Sequence, residues 1–229
     1  MPLSRVAVAP RRQGGDGYGG AVTVRAVVLP GTPLLVPGAA GAAPVLDGTR
    51  RAALAALRRL VDGLAPAGEG GAAGVVVVAP GSPRRRGPAR ASLAAVGVVD
   101  TWLDPAWAAA ARSAGPDVPV AGTAASVGLL ALAGAGWTGR VDVVELDDSD
   151  MLAAHALGAD LAQQGARLVV VHDPRSAVPD AVLSGFGAAP DAGQRHVGTE
   201  EDEERRDEVR WYDDLAPAAP GSRSGSVSR

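Results

Sequence analysis

The chain contains no cysteine and no lysine, and only 3% of its 229 residues are aromatic. The absence of cysteine excludes disulfide bonds, thiolate nucleophiles and cysteine-ligated zinc or iron–sulfur sites. The absence of lysine excludes Schiff-base chemistry and the lysine of a Walker-type phosphate loop. With one Phe and two Tyr, the core has to be built mainly from Ala, Val and Leu.

The net charge and the lengths of the apolar runs further limit the kinds of partner and location that the sequence allows. The net charge of −3 provides no broad basic surface, so a nucleic-acid partner is not expected. No apolar run reaches the roughly twenty residues that a membrane span needs, and the first apolar patch is too short for a signal peptide. These features predict a cytoplasmic protein without a membrane partner. A chain of this length that is 47% hydrophobic can bury one single-domain core.

Apolar runs that end at Pro or Gly alternate with stretches of helical periodicity. The valine run before Pro80 is typical of a strand that is covered on both faces. Predicted strands cover residues 22–29, 75–79, 118–120, 141–146 and 168–171, and predicted helices cover residues 49–64, 106–114, 124–135 and 150–164. This alternation predicts an α/β fold with a mixed, mostly parallel sheet.

The two ends of the chain differ in composition from its middle. Residues 1–20 are rich in Gly and Arg and are interpreted as a flexible leader, and residues 21–192 as one α/β domain. Residues 193–229 contain the charge run TEEDEERRDE and a Gly/Ser/Arg-rich end. This composition predicts a disordered, solvated tail, and a partner-binding role for that tail stays open.

Three predicted strand exits carry the residues that could form a site, because ligands of open α/β sheets bind beyond the carboxyl ends of strands. The exits are Pro30–Pro33, Pro80–Pro83 and His172–Ser176. The first two share the form Pro-Gly-Ser/Thr-Pro, in which Pro restricts φ and Gly permits a sharp turn. They are either rigid turns or the floor of a pocket. The candidate pocket residues are Gly31, Thr32, Gly81, Ser82 and Ser176.

Several of these segments together resemble the class III extradiol ring-opening dioxygenases (LigB-like), in a high-GC bacterial branch. LPGTPLLVPG (29–38) is similar to the first strand exit of that family, and VVVVAPGSP (75–83) is similar to the second. Residues 118–146 and 155–177 resemble the segments that follow. The likeness spans residues 22–190 and implies a three-layer α/β/α sandwich with a central mixed, mostly parallel sheet.

The chain departs from the family at the residues that hold iron. Gly31 and Gly81 stand where the resemblance implies two iron-binding histidines, and Gly38 stands where it implies a glutamate. Asp173 and Ser176 match the aspartate and the catalytic histidine of the family's last loop. Iron(II) needs imidazole and carboxylate ligands with open positions, so the Fe(II) that the family uses is not expected here, nor is another cofactor or metal.

Other residues offer weaker candidates. His172 beside Asp173 is the candidate catalytic pair, and a satisfied structural pair is the alternative. The segment Glu145–Asp150 contains four carboxylates, for which helix capping is favoured over Mg²⁺ or Ca²⁺ binding. Arg84–Arg86 could steer an anionic ligand or form a solvated loop. His155 is interpreted as a surface or packing residue and His196 as a solvated one.

Three functions follow as hypotheses. The favoured one is a catalytically degenerate LigB-like domain that binds a small ligand or a protein partner in the former active-site cleft. The second is an oxidoreductase or other enzyme that uses His172 as base or ligand, with Asp173 orienting it. The third is an interaction protein that acts through its acidic C-terminal tail. Homo-oligomerisation is left open by the sequence.

Overall fold

A mixed seven-stranded sheet and five helices form the described part of the protein. The computed structural model describes residues 23–64, 74–112, 115, 117–188, 193–197 and 208–213. The strands are β1 (Val24–Pro30), β2 (Val75–Pro80), β3 (Arg85–Gly87), β4 (Val141–Leu146), β5 (Arg167–His172), β6 (Gln194–Val197) and β7 (Glu208–Asp213). The helices are α1 (Asp47–Val61), α2 (Pro105–Arg112), α3 (Thr123–Gly134), α4 (Met151–Gln163) and α5 (Val178–Phe186).

The strands are arranged in the order β3-β4-β2-β5-β1-β7-β6. The four strands β4, β2, β5 and β1 are parallel neighbours, and β3, β7 and β6 join the sheet antiparallel. The predicted α/β class with a mixed, mostly parallel sheet is therefore confirmed. The valine run forms β2, which is hydrogen-bonded to β4 on one side and to β5 on the other. Its residues from Val75 to Ala79 are buried.

Two hydrophobic clusters cover the two faces of the sheet, because alternate residues of a strand point to opposite sides. One cluster, which we call the α1–α3 cluster, joins those helices to Leu29, Ala79 and Val171. The other, the α4–α5 cluster, joins those two helices to Val28 and Val170. Small side chains make up most of both clusters, as the scarcity of aromatics predicts.

The prediction of a disordered tail is wrong for two segments beyond residue 192. β7 pairs antiparallel with β1 along Val24–Val28, and β6 pairs with β7. Val209 and Tyr212 are buried on opposite faces of the sheet. β7 covers an edge of β1 that would otherwise present unpaired backbone groups. Most of the charge run, residues 198–207, and residues 214–229 lie outside the described residues, as does the predicted leader.

Smaller differences concern element boundaries. β3 includes Arg85 and Arg86, for which a solvated loop was one interpretation, and pairs with β4. The predicted strand at 118–120 is reduced to a single bridge between Val120 and Arg90. α1 begins at Asp47, two residues before the predicted start, and has no side-chain cap. None of the helices in the described ranges is long and apolar enough to cross a membrane.

Candidate functional site

The carboxyl ends of β1, β5, β2 and β4 lie at one edge of the sheet, because these four strands run parallel. After this edge, the connections that follow neighbouring strands run to opposite faces of the sheet. The chain passes from β1 and β2 into helices of the α1–α3 cluster, and from β4 and β5 into the two helices of the α4–α5 cluster. In open α/β sheets, ligands bind beyond the strand ends at points where neighbouring connections diverge in this way. We call this region the cleft.

The first strand exit is closed by backbone. The N–H of Gly31 donates to the carbonyl oxygen of His172 at 2.8 Å. A Cβ at position 31 would lie 2.9 Å from that same oxygen and 3.3 Å from Cγ1 of Val171. The hydroxyl of Thr32 accepts from the N–H of Leu34 at 3.3 Å and starts a short 3-10 turn. Position 31 therefore has no room for a side chain in this backbone.

The second strand exit is closed by a side chain. The N–H of Gly81 donates to the carbonyl oxygen of Leu146 at 2.9 Å. A Cβ at position 81 would lie 3.0 Å from Cβ of Glu145 and 3.4 Å from its Cγ and Cδ. The hydroxyl of Ser82 lies close enough to the carboxylate of Asp147 to lower its pKa. Glycine at 81 is thus matched to the glutamate on the neighbouring strand.

Glu145 is the residue that sequence reasoning missed, because it was grouped with the acids at the start of α4. The residue is 3% exposed. Its Oε1 accepts from the N–H of Gly122 at 2.6 Å, and its Oε2 lies 3.4 Å from Nη1 of Arg85. A signal was present in the sequence, since Glu145 is the one acid of the segment Glu145–Asp150 that falls inside the predicted strand 141–146.

At the third strand exit, the hydrogen-bond partner of the Asp173 carboxylate is Arg175. Oδ1 of Asp173 accepts from the backbone N–H of Arg175 at 3.0 Å and from its Nε at 3.3 Å. Alternation along β5 places His172 with Val170, on the face of the α4–α5 cluster. Gly31 and Gly81 follow residues of the α1–α3 cluster. The structure brings these three exits to one edge but assigns their side chains to different faces.

Ser176 connects two loops across the end of β2. Its hydroxyl donates to Oδ1 of Asp148 at 2.6 Å, and the N–H of Ala177 donates to the same oxygen at 3.2 Å. Asp148 follows β4 and Ser176 follows β5, and β2 lies between these strands. The contact therefore spans the second strand exit on the α4–α5 side.

The helix capping favoured from the sequence is seen only in part: Asp147 caps the 3-10 turn Asp148–Asp150, whereas Asp150, at the N-cap position of α4, makes no side-chain cap bond. Oδ1 of Asp147 accepts from the N–H of Ser149 at 3.0 Å and from its hydroxyl at 2.9 Å. These two bonds hold the pKa of the Asp147 carboxyl below its ordinary value of 3.8; desolvation opposes them, and the Ser82 hydroxyl adds a further lowering. Asp148 accepts at the start of α5 in the same way.

The residues at the cleft do not fit the iron that the family resemblance implies. Positions 31 and 81 have no ligating side chain; one at 31 would meet backbone, and one at 81 would require Glu145 to move. Within the described residues, no group of three or more His, Asp or Glu side chains is placed to hold a metal ion. His155 is exposed on α4, and His196 lies on β6, away from the three exits.

Comparison of the chain with protein-family models, with curated proteins and with solved structures returned no match.

Proposed function

We propose that the protein is a catalytically degenerate relative of the LigB-like dioxygenases that binds a small ligand in the cleft. The observation that carries the proposal is the convergence of Gly31, Gly81 and His172 at one sheet edge, with no metal-ligating side chain at 31 or 81. Strand exits that converge without a metal-ligand set favour binding over ring opening.

We also propose a more specific architecture for the fold. Two core clusters on opposite faces of a mixed sheet support a three-layer α/β/α sandwich of LigB-like type. We further propose that the protein is cytoplasmic and that neither a nucleic acid nor a membrane is its partner. A protein partner in the cleft and a homo-oligomer are alternatives to a small ligand bound by a single chain.

The enzyme hypothesis has less support. Asp173 is engaged with Arg175, and strand alternation separates His172 from the face of Gly31. The tail hypothesis needs a narrower test than removal of residues 195–229, because that deletion would also remove β7 from the sheet. Replacing the acids of residues 200–204 would test it without touching a described strand.

Metal analysis combined with a catechol assay tests the proposal. Purified protein is incubated anaerobically with Fe(II), freed of excess metal and exposed to catechol in air. We expect iron far below one equivalent and no ring-opened product. Calorimetric titration of the metal-free protein with catechol should show saturable binding, and its isomer hydroquinone is the matched control for the adjacent hydroxyls.

Stoichiometric iron together with ring opening would show that the protein is an active dioxygenase. Absence of catechol binding at any concentration up to its solubility would remove the ligand half of the proposal and leave a protein partner as the occupant of the cleft.

A further inference from the structure

We propose that Glu145 is the positioning residue of the cleft: one buried carboxylate holds the start of α3 and strand β3 against the exit of β2, in the space that a side chain at position 81 would need. The inference rests on the proposed function, because positioning has a functional meaning only if a ligand binds there. It goes beyond that function by naming the group on which the shape of the site depends.

Four segments meet at this carboxylate. Glu145 is on β4, and Arg85 faces it from β3 in the antiparallel register. The Nη1 of Arg85 lies 3.4 Å from Oε2 and also donates to the carbonyl oxygen of Val120. The N–H of Gly122, the residue before α3, donates to Oε1 at 2.6 Å. The fourth segment is the exit of β2, where a Cβ at Gly81 would meet the side-chain carbons of Glu145.

The side chain of Glu145 lies against two glycines, Gly81 and Gly122. A Cβ at Gly122 would lie 2.7 Å from Oε1, and a Cβ at Gly81 would lie 3.0 Å from Cβ of Glu145. Side chains at either position would displace the carboxylate from its partners. The absence of a side chain at 81 is therefore linked to the presence of the acid at 145, and the two residues act as one unit.

Burial makes the arrangement sensitive to a change at this single residue. A carboxylate removed from water has to be compensated by hydrogen bonds and by an opposite charge. Here the amide before α3 and the guanidinium of Arg85 provide this compensation. The N-terminal end of a helix also favours a negative charge. If the carboxylate is lost, Arg85 and the start of α3 lose their shared anchor on the side of the cleft formed by β2.

The experiment compares Glu145→Gln and Glu145→Ala with the wild-type chain. Glutamine keeps the shape and the oxygen that accepts from Gly122 but removes the attraction to Arg85, whereas alanine removes both. Asp142→Ala is the matched control, because Asp142 is on the same strand and pairs with Arg140 at 3.2 Å on the surface. Catechol affinity is measured by calorimetry, and amide hydrogen exchange of Gly122 is measured by NMR.

We expect Glu145→Ala to weaken catechol binding by about tenfold or more while the chain stays folded. Glutamine should recover most of that loss, and Asp142→Ala should bind as the wild type does. Exchange at Gly122 should be accelerated in Glu145→Ala and remain slow in Glu145→Gln. Rescue by glutamine separates positioning from a general loss of stability, because both variants lose the ion pair.

Wild-type affinity in a folded Glu145→Ala chain would overturn the positioning role. If the wild type itself does not bind catechol, the proposed function fails and the exchange arm still decides the contact: unchanged exchange at Gly122 in Glu145→Ala would then refute the anchor as well. If Glu145→Ala is unfolded, Glu145→Gln decides the matter, since loss of slow exchange at Gly122 in that variant contradicts the geometry.

Discussion

The two glycine exits of the sheet look alike in sequence and differ in what encloses them. At Gly31 a side chain would meet the backbone oxygen of His172, whereas at Gly81 it would meet the side chain of Glu145. Backbone in the middle of a parallel sheet cannot move without breaking ladder hydrogen bonds, but a side chain can be shortened. The backbone of the fold therefore excludes a side chain at the first exit, whereas at the second exit one residue, Glu145, opposes it.

This difference bears on whether a metal-binding side chain could be introduced at the cleft. A histidine at position 81 would require Glu145 to move, while one at position 31 would require β1 and β5 to separate. Two histidines alone would therefore not create a metal site here.

Gly31→Ala should destabilise the protein by about 3 kcal/mol, because the new Cβ would lie 2.9 Å from the carbonyl oxygen of His172 and overpacking of this kind costs a few kcal/mol. The measurement is chemical denaturation. His172→Ala is the matched background: since the clash is with backbone, the cost of Gly31→Ala should be the same there to within about 0.5 kcal/mol. Relief of the cost in that background would show that the first exit is also closed by a side chain.

Gly81→Ala should cost about 1 kcal/mol, because Glu145 can yield by a few tenths of an ångström. The same substitution should cost much less in a Glu145→Gly background, where the opposing Cβ is absent. A double-mutant cycle by denaturation measures this coupling. An uncoupled pair would remove the distinction between the two exits.

Ser176→Ala should cost about 1 kcal/mol or less, the usual net value of one hydrogen bond. The hydroxyl of Ser176 donates to Asp148 across the end of β2, so its loss should loosen the second exit and leave the first unchanged. Amide exchange resolves the two: Gly81 should exchange faster and Gly31 at the wild-type rate. Equal acceleration at both would indicate that the exits are one cooperative unit.

The smallest effect is a pH dependence at the rim of the second exit. The pKa of the Asp147 carboxyl is lowered by bonds from Ser149 and by Ser82, so its folded-state pKa is below the unfolded value. The stabilisation is therefore present above the ordinary value of 3.8 and is lost as pH falls through the folded pKa. Asp147→Asn should give a flatter stability curve in that acidic range, and a curve parallel to the wild type would contradict this origin.

The alternation of apolar runs and helical periodicity was sufficient to predict the parallel core of the fold. β2 and β5 contain the uninterrupted apolar runs VVVVA and LVVV, whereas in β4 (VDVVEL) two acids interrupt the valines. The exit of β2 carries Pro and Gly, as expected for a turn. β7 was not predicted, because Glu208–Asp213 follows directly on a run of charges and its partner, β1, is nearly two hundred residues earlier. Long-range pairing of this kind leaves no local periodic signal.

The site was predictable in position and not in its chemistry. Strand exits at 31, 81 and 172 could be expected to converge because parallel strands share their carboxyl edge. The partner of Gly81 could not, since Glu145 is separated from it by more than sixty residues and only the sheet order makes the two neighbours. Its burial is also exceptional, because a glutamate at the end of a strand is usually solvated.

Whether the cleft binds a ligand can be measured by NMR titration of the metal-free protein with catechol. We expect the amide shifts on catechol addition to be largest at Gly31, Gly81 and Gly122, and small at Gly139, which precedes β4 at the opposite edge of the sheet. Shifts that are absent, or that are as large at Gly139 as at the other three glycines, would contradict a ligand site in the cleft.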